Sequence, residues 1–224
     1  MKIKLFVTGT DTGVGKTYIS CALLKALAKK GCSTIGMKPV ASGCELSVNG
    51  LVNQDALDIQ QAMSLKQDYS KINPFALQTA TAPHIAADIE KKILSIASLV
   101  QKTRELEILD ADALVIEGAG GWQAPLNNAE CMSDYAACLT MPVILVVSIK
   151  LGCINHALLT IAAIKNKNIP IIGWVANCLD TDMLALTENI DTLKHWITEP
   201  CLGVIKKNQK AEKFLDIETI INYF

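Results

Sequence analysis

Leu5-Phe6-Val7-Thr8-Gly9-Thr10-Asp11-Thr12-Gly13-Val14-Gly15-Lys16-Thr17 is a short apolar run that breaks into a glycine-rich loop ending in Gly-Lys-Thr, and a helical pattern follows at once. Such a loop turns successive backbone N–H groups onto phosphate oxygens, and the helix starting near Lys16 points the positive end of its dipole at the anion. Lys16 and the Thr17 hydroxyl are of the right type to serve phosphate and Mg²⁺, so the chain reads as a binder of a nucleoside triphosphate. The strict spacing G-x-x-x-x-G-K-[ST] asks for glycine where Thr10 stands, with Gly9 one place early. The bland alternative is a glycine turn between a strand and a helix.

Beyond this loop the pattern is strand, then helix, repeated. Short β-rich apolar runs occur at Ile3–Thr8, Thr34–Lys38, Ala113–Glu117, Val143–Ile149, Ile171–Asn177 and Leu202–Ile205. Runs apolar throughout suit a parallel sheet covered on both faces. Helical spacing falls at Thr17–Lys30, closed by Gly31 as a C-cap signal, and at Ser95–Leu109, Ser133–Leu139, Asn155–Lys165 and Asp182–Ile197. The expected fold is α/β, a doubly wound and mainly parallel sheet with helices on both faces, of the P-loop NTPase type.

The 224 residues can bury a full core, and with no linker, charge block or internal repeat to divide them they read as a single domain, 1–224. Lys and Arg number 21 against 22 Asp and Glu, without the basic excess that nucleic-acid binding needs. The apolar run after Met1-Lys2-Ile3-Lys4 is too short for a signal peptide, and Val143 to Ile149 falls far short of a bilayer span; the expectation is a cytoplasmic protein with no membrane partner. The eight cysteines, Cys21, Cys32, Cys44, Cys131, Cys138, Cys153, Cys178 and Cys201, include no C-x-x-C pair and read as reduced thiols, while His84, His156 and His195 lack metal-ligand spacing.

Ligands of doubly wound sheets bind beyond the carboxyl ends of the strands, so the residues just after each apolar run carry the information. They are Lys38-Pro39-Val40-Ala41-Ser42-Gly43, Glu117-Gly118-Ala119-Gly120-Gly121-Trp122, Lys150-Leu151-Gly152-Cys153-Ile154-Asn155 and Asn177. Taken singly, Lys38 reads equally as a solvated charge, Glu117 as a surface carboxylate and Gly118–Gly121 as a flexible turn. Their joint placement beside the phosphate loop favours a site.

These segments, with Asn53-Gln54-Asp55-Ala56-Leu57, His156-Ala157 and Gly173-Trp174-Val175-Ala176-Asn177, resemble the ATP-dependent dethiobiotin synthetases along most of the chain. That family closes a ureido ring on 7,8-diaminononanoate using CO₂ and ATP, and its Thr-Gly-Thr-Asp-Thr loop accounts for the irregular glycine spacing. The resemblance implies Mg²⁺ held by Thr17, Asp55 and Glu117, and ATP held by Gly13, Val14, Gly15, Lys16, Thr17, Tyr18, Asp55, Glu117, Gly118, Ala119, Gly120 and Asn177, with Asn177 contacting adenine. It implies a catalytic group of Lys16, Lys38 and Thr12, with the two lysines offsetting the repulsion between carbamate and triphosphate. Ser42 would bind the diamine or its carbamate. The helix start Gly152-Cys153-Ile154-Asn155 would bind the diamine's carboxylate across a homodimer interface. For Asp55 the plain alternative is a helix N-terminal acid stabilised by the dipole; for the Gly152 turn it is an ordinary helix start.

Two departures from the family pattern stand near the C-terminus: Cys178 follows Asn177 where many relatives have an acid, and Lys206-Lys207-Asn208 replaces a more apolar segment. Two rival readings share the loop. Partition-type or metal-insertase switches that dimerise carry an extra lysine five places before the loop lysine, where this chain has Asp11. An amidating ligase of cobalamin synthesis would add a glutamine amidotransferase domain, for which the length leaves no room.

Overall fold

The computed structural model describes residues 2–48, 50–180 and 183–224. In chain order the elements are β1 (Ile3–Gly9), α1 (Lys16–Lys29), β2 (Thr34–Met37), β3 (Val40–Ala41), β4 (Glu45–Ser47), β5 (Gly50–Val52), α2 (Gln54–Ala62), α3 (Tyr69–Ile72) and β6 (Phe75–Ala76). There follow α4 (Pro83–Ile89), α5 (Ile96–Glu107), β7 (Ala113–Glu117), α6 (Met132–Leu139), β8 (Val143–Ser148), α7 (Cys153–Asn166), β9 (Ile171–Cys178), α8 (Leu186–Trp196), β10 (Cys201–Lys206), a 3₁₀ turn at Ala211–Lys213 and α9 (Ile217–Asn222).

The six apolar runs form one parallel sheet in the order β10-β9-β8-β1-β7-β2. Because side chains alternate across a strand, β8 sends Ile144 and Val146 into the core cluster that holds α1, and Leu145 and Val147 into a second cluster with Cys153, Ala157 and Ile161 of α7. Both faces are therefore covered, which is why these strands carry runs of consecutive apolar residues, such as Leu5–Val7 and Val143–Val147, rather than apolar residues at every other position. The chain runs from β1 outward to β2 and later to β8 on the opposite side of β1, so the winding reverses at β1, where a crevice opens at the strand ends.

The expected helices are present, with ends shifted by a few residues. Gly31, at φ +90°, donates its N–H to Ala28 O at 3.0 Å just past α1. The expected start of α8 at Asp182 lies outside the described residues, as does Met1, and the ordered helix begins at Leu186. The helix α2 was legible only as the Asn53–Leu57 start. It rests against α1 and β2 at Gly36, where a Cβ would come within 2.4 Å of Ile59 and 2.8 Å of Leu24. That close approach sets the start of α2 beside the end of β2. Among the described residues no helix is long and apolar enough to cross a membrane.

Candidate active site

The phosphate loop leaves β1 at Gly9 and enters α1 at Lys16. Its left-handed positions are Gly13 (φ +72°) and Gly15 (φ +90°), a backbone that side-chain-bearing residues rarely adopt. Thr10 needs no such conformation, and its N–H donates to Val146 O at 3.1 Å, which explains how the loop does without a glycine there. Asn177, at the end of β9, sits behind the loop. It is buried, its Nδ2 donates to Val14 O at 2.8 Å, and a Cβ on Gly15 would lie 2.1 Å from that nitrogen. The residue implied to contact adenine thus supports the loop backbone.

Four side chains from four elements meet at the floor of the site. Thr17 Oγ1 donates to Glu117 Oε1 at 2.8 Å, and Lys38 Nζ pairs with the same Oε1 and with Asp55 Oδ2, the latter at 3.1 Å. Glu117 is fully buried and Lys38 is 5 % exposed, so neither is a solvated charge. Asp55 lies in the first turn of α2, its N–H capped by Asn53 Oδ1 at 3.1 Å, so the helix-start role and a place in the site coexist. Burial pulls the Lys38 pKa down, but the Glu117 and Asp55 carboxylates outweigh it and hold the ammonium above its ordinary value. Lys16, also buried, donates to Asp11 O at 2.9 Å; burial, reinforced by the Lys38 charge, lowers its pKa to about 8. A polyanion at this spot would bring it back up.

A cavity of about 600 Å³ joins these groups. Of the residues singled out from sequence, it is lined by Thr12, Gly13, Gly15, Lys16, Thr17, Tyr18, Lys38, Ser42, Asp55, Glu117, Ala119 and Gly120. Val14, Gly118 and Asn177 stand behind its wall: Val14 is 1 % exposed, and Gly118 abuts the Phe6 ring. The Gly152–Asn155 start of α7 does not reach the cavity within one chain. Cys153 is buried there, Leu151 is 94 % exposed, and the nearest tie to the loop is Lys150 Nζ to Asp11 Oδ2 at 3.9 Å. Tyr18 fastens the C-terminal turn, donating to Gln209 O and accepting from Ala211 N at 3.3 Å, which brings the Lys206–Asn208 segment next to α1.

The cavity also holds Cys21, Lys25, Asp58 and Gln61, which sequence reading missed. The signal was present. Thr17, Cys21 and Lys25 recur every four residues and Asp55, Asp58 and Gln61 every three, so each set shares one face of its helix.

The donor set suits a small hard cation. Glu117 Oε2 is buried and finds no hydrogen-bond partner among the described residues. Thr17, Asp55 and Glu117 offer only oxygen, as Mg²⁺ prefers, and two carboxylates leave coordination positions for phosphate oxygens and water. Lys38 stands between the carboxylates as a resident positive charge.

A family model described as an AAA domain matches residues 3–213. The chain is 50 % identical to the ATP-dependent dethiobiotin synthetase BioD of Cellvibrio japonicus over 94 % of this chain and 92 % of the relative, and 47 % identical to BioD of Pseudomonas aeruginosa (strain UCBPP-PA14) over 92 % and 90 %. In fold it is similar to the septum site-determining protein MinD of Pyrococcus horikoshii, complexed with Mg-ADP, with a TM-score of 0.57, 13 % identity and coverage of 98 % and 89 %. A MinC:MinD complex of Aquifex aeolicus gives 0.56 at 15 % identity, covering 96 % and 86 %. The solved structures share the fold; the sequence relatives share nearly the whole chain, and on that footing the chain belongs to the ATP-dependent dethiobiotin synthetases.

Proposed function

We propose that this chain, acting as one ligase domain, closes the ureido ring of dethiobiotin on 7,8-diaminononanoate with CO₂ and ATP, giving ADP and phosphate. The observation that carries the reading is the cluster of buried Lys38 and Glu117 with Asp55 and Thr17 beside the phosphate loop, in the same cavity as Ser42. One substrate amine takes up CO₂ as a carbamate, losing a proton, and the carbamate oxygen attacks the γ-phosphorus, breaking its bond to the bridging oxygen and releasing ADP. The second amine then attacks the carbonyl of the mixed anhydride, forming the second C–N bond and expelling phosphate.

The protein supplies position and charge rather than a nucleophile. Backbone N–H groups from Thr12 to Thr17 hold the triphosphate, and Lys16 reaches its terminal phosphate. Lys38, between loop and substrate, offsets the approach of two anions. Ser42, at the cavity wall, orients the diamine or its carbamate. Thr17, Asp55 and Glu117 would hold Mg²⁺, which draws charge from the phosphate oxygens when bound. The decisive assay measures ATP hydrolysis with and without diamine and bicarbonate and follows product by mass. Hydrolysis that ignores the diamine, with no dethiobiotin formed, overturns the reading.

Asp55→Asn and Glu117→Gln each remove one unit of charge from a hard-cation site at almost unchanged volume. Both are expected to raise the Mg²⁺ concentration needed for half-maximal rate. The same Mg²⁺ titration as wild type in both variants would make these acids structural.

The Gly152–Asn155 turn, outside the cavity of its own chain, suits a cytoplasmic homodimer in which this helix start receives the carboxylate of a diamine held mainly by the other subunit. Lys38→Ala and Cys153→Pro subunits, each first shown to be folded and dimeric, are mixed. A shared site regains one intact centre in the mixed dimer, about half of wild-type activity per dimer by two-fold symmetry. A mixed dimer as inactive as its parents excludes binding across the interface.

A further inference from the structure

Lys38 and Asp55 must hold a fixed separation, yet they lie on different elements, Lys38 just past β2 and Asp55 in the first turn of α2. Their side-chain ion pair cannot itself provide that rigidity, because a cation or substrate must compete for the same carboxylates. The backbone offers another link. Lys38 N donates to Ile72 O at 2.9 Å, and Lys38 O accepts from Asn73 Nδ2 at 2.7 Å. Asn73 is 3 % exposed, and its Oδ1 accepts from the Tyr69 hydroxyl at 3.1 Å. That same hydroxyl accepts from Asn53 N at 2.8 Å, and Asn53 in turn caps Asp55 through Oδ1 and reaches Ser42 O through Nδ2 at 3.5 Å. The circuit runs from Lys38 through Asn73, Tyr69 and Asn53 to Asp55 and the Ser42 loop without using any charged side chain.

We propose that Tyr69 and Asn73 are positioning residues that set Lys38 against Asp55 and Ser42 through this part-buried hydrogen-bond circuit. Neither residue lines the active-site cavity. Both line a separate cavity of about 520 Å³ behind it, with Leu51, Leu57 and Gln60. Tyr69 can serve both sides because its hydroxyl is donor and acceptor at once. Burial raises its pKa, which keeps the proton that the Asn73 bond requires. The phosphate loop contributes nothing to the circuit, so its disruption should disturb ring closure while sparing nucleotide capture.

The proposal rests on the ligase reading above for its effect on rate, but one arm of the test needs no turnover. Tyr69→Phe and Asn73→Ala are compared with wild type and with Ser70→Ala, a neighbour on the rear cavity that has no part in the circuit. Lys38 acylation by acetic anhydride is followed by peptide mass, with the exposed Lys207 as internal reference. Released from its fixed place, the Lys38 ammonium should label several-fold faster in both circuit variants and at the wild-type rate in Ser70→Ala. In turnover, kcat should fall ~10-fold with KM for ATP unchanged, the effect of a small misplacement of reacting groups. Asn73→Asp, which keeps an acceptor for Tyr69 but loses the donor to Lys38, should behave as Asn73→Ala. Folded circuit variants with wild-type Lys38 labelling overturn the proposal, as does a loss of turnover matched by loss of ATP affinity, which would mark a general structural role. A wild-type enzyme that makes no dethiobiotin tells against the ligase reading alone, because the labelling arm still decides the circuit.

Discussion

Lys16→Ala is expected to abolish turnover and to weaken nucleotide binding together, because the ammonium meets phosphate in the ground state and the transition state alike. Its setting makes the loss large. Lys16 is buried at the head of α1, where the loop N–H groups and the helix start already favour an anion, and its ammonium donates to the Asp11 carbonyl of the loop itself. A charge contact in a site closed to water is worth about 3 kcal/mol, or roughly a hundredfold in rate, before the loss of nucleotide affinity is counted. Calorimetric titration with a non-hydrolysable ATP analogue and single-turnover kinetics separate the two contributions. A variant with wild-type nucleotide affinity would place the triphosphate elsewhere.

Lys38→Ala should behave differently. It leaves the phosphate loop intact, so nucleotide affinity should change little while kcat falls about a hundredfold. A second consequence follows from its partners: without the ammonium, Asp55 and Glu117 lose the counter-charge that bridges them, leaving only the more distant Lys16 influence, and affinity for a divalent cation should rise. Mn²⁺ binding followed by electron paramagnetic resonance, on protein shown to be folded by its thermal midpoint, reads that rise directly. Lys38→Ala enzyme that retains most of its activity removes Lys38 from the mechanism.

The six sheet strands were legible because burial on both faces gives most of them consecutive apolar residues, a pattern that needs no knowledge of neighbours. The site was legible where chemistry follows a strand end directly, as at Lys38 and Glu117. Helix α2 was harder. It is short and mixed in character, and its tight seating depends on Gly36, a residue of another element. The helix α4 carried a readable mark, Pro83 at its first turn, but too few residues for a periodic signal. Tyr69 and Asn73 stand four residues apart and bond each other, but the bonds that tie the pair to Asn53 and Lys38 span 16 and 35 positions through geometry that only the folded chain creates. The Gly152 turn was read as a ligand site, and within one chain it does not line the active-site cavity.

Asn177 joins two regions that the chain keeps far apart, its amide nitrogen bonded to Val14 O and filling the space that a side chain at Gly15 would need. It ends β9, and β10, an edge strand of the sheet, pairs with β9 alone. Local opening of that edge therefore slackens the phosphate loop, and a ligand that holds the loop shut adds its binding free energy to the cost of fraying. Nucleotide and sheet edge are thermodynamically linked, so the protein waiting between turnovers is locally less stable than the one at work, and it is least protected along the strand that follows Asn177.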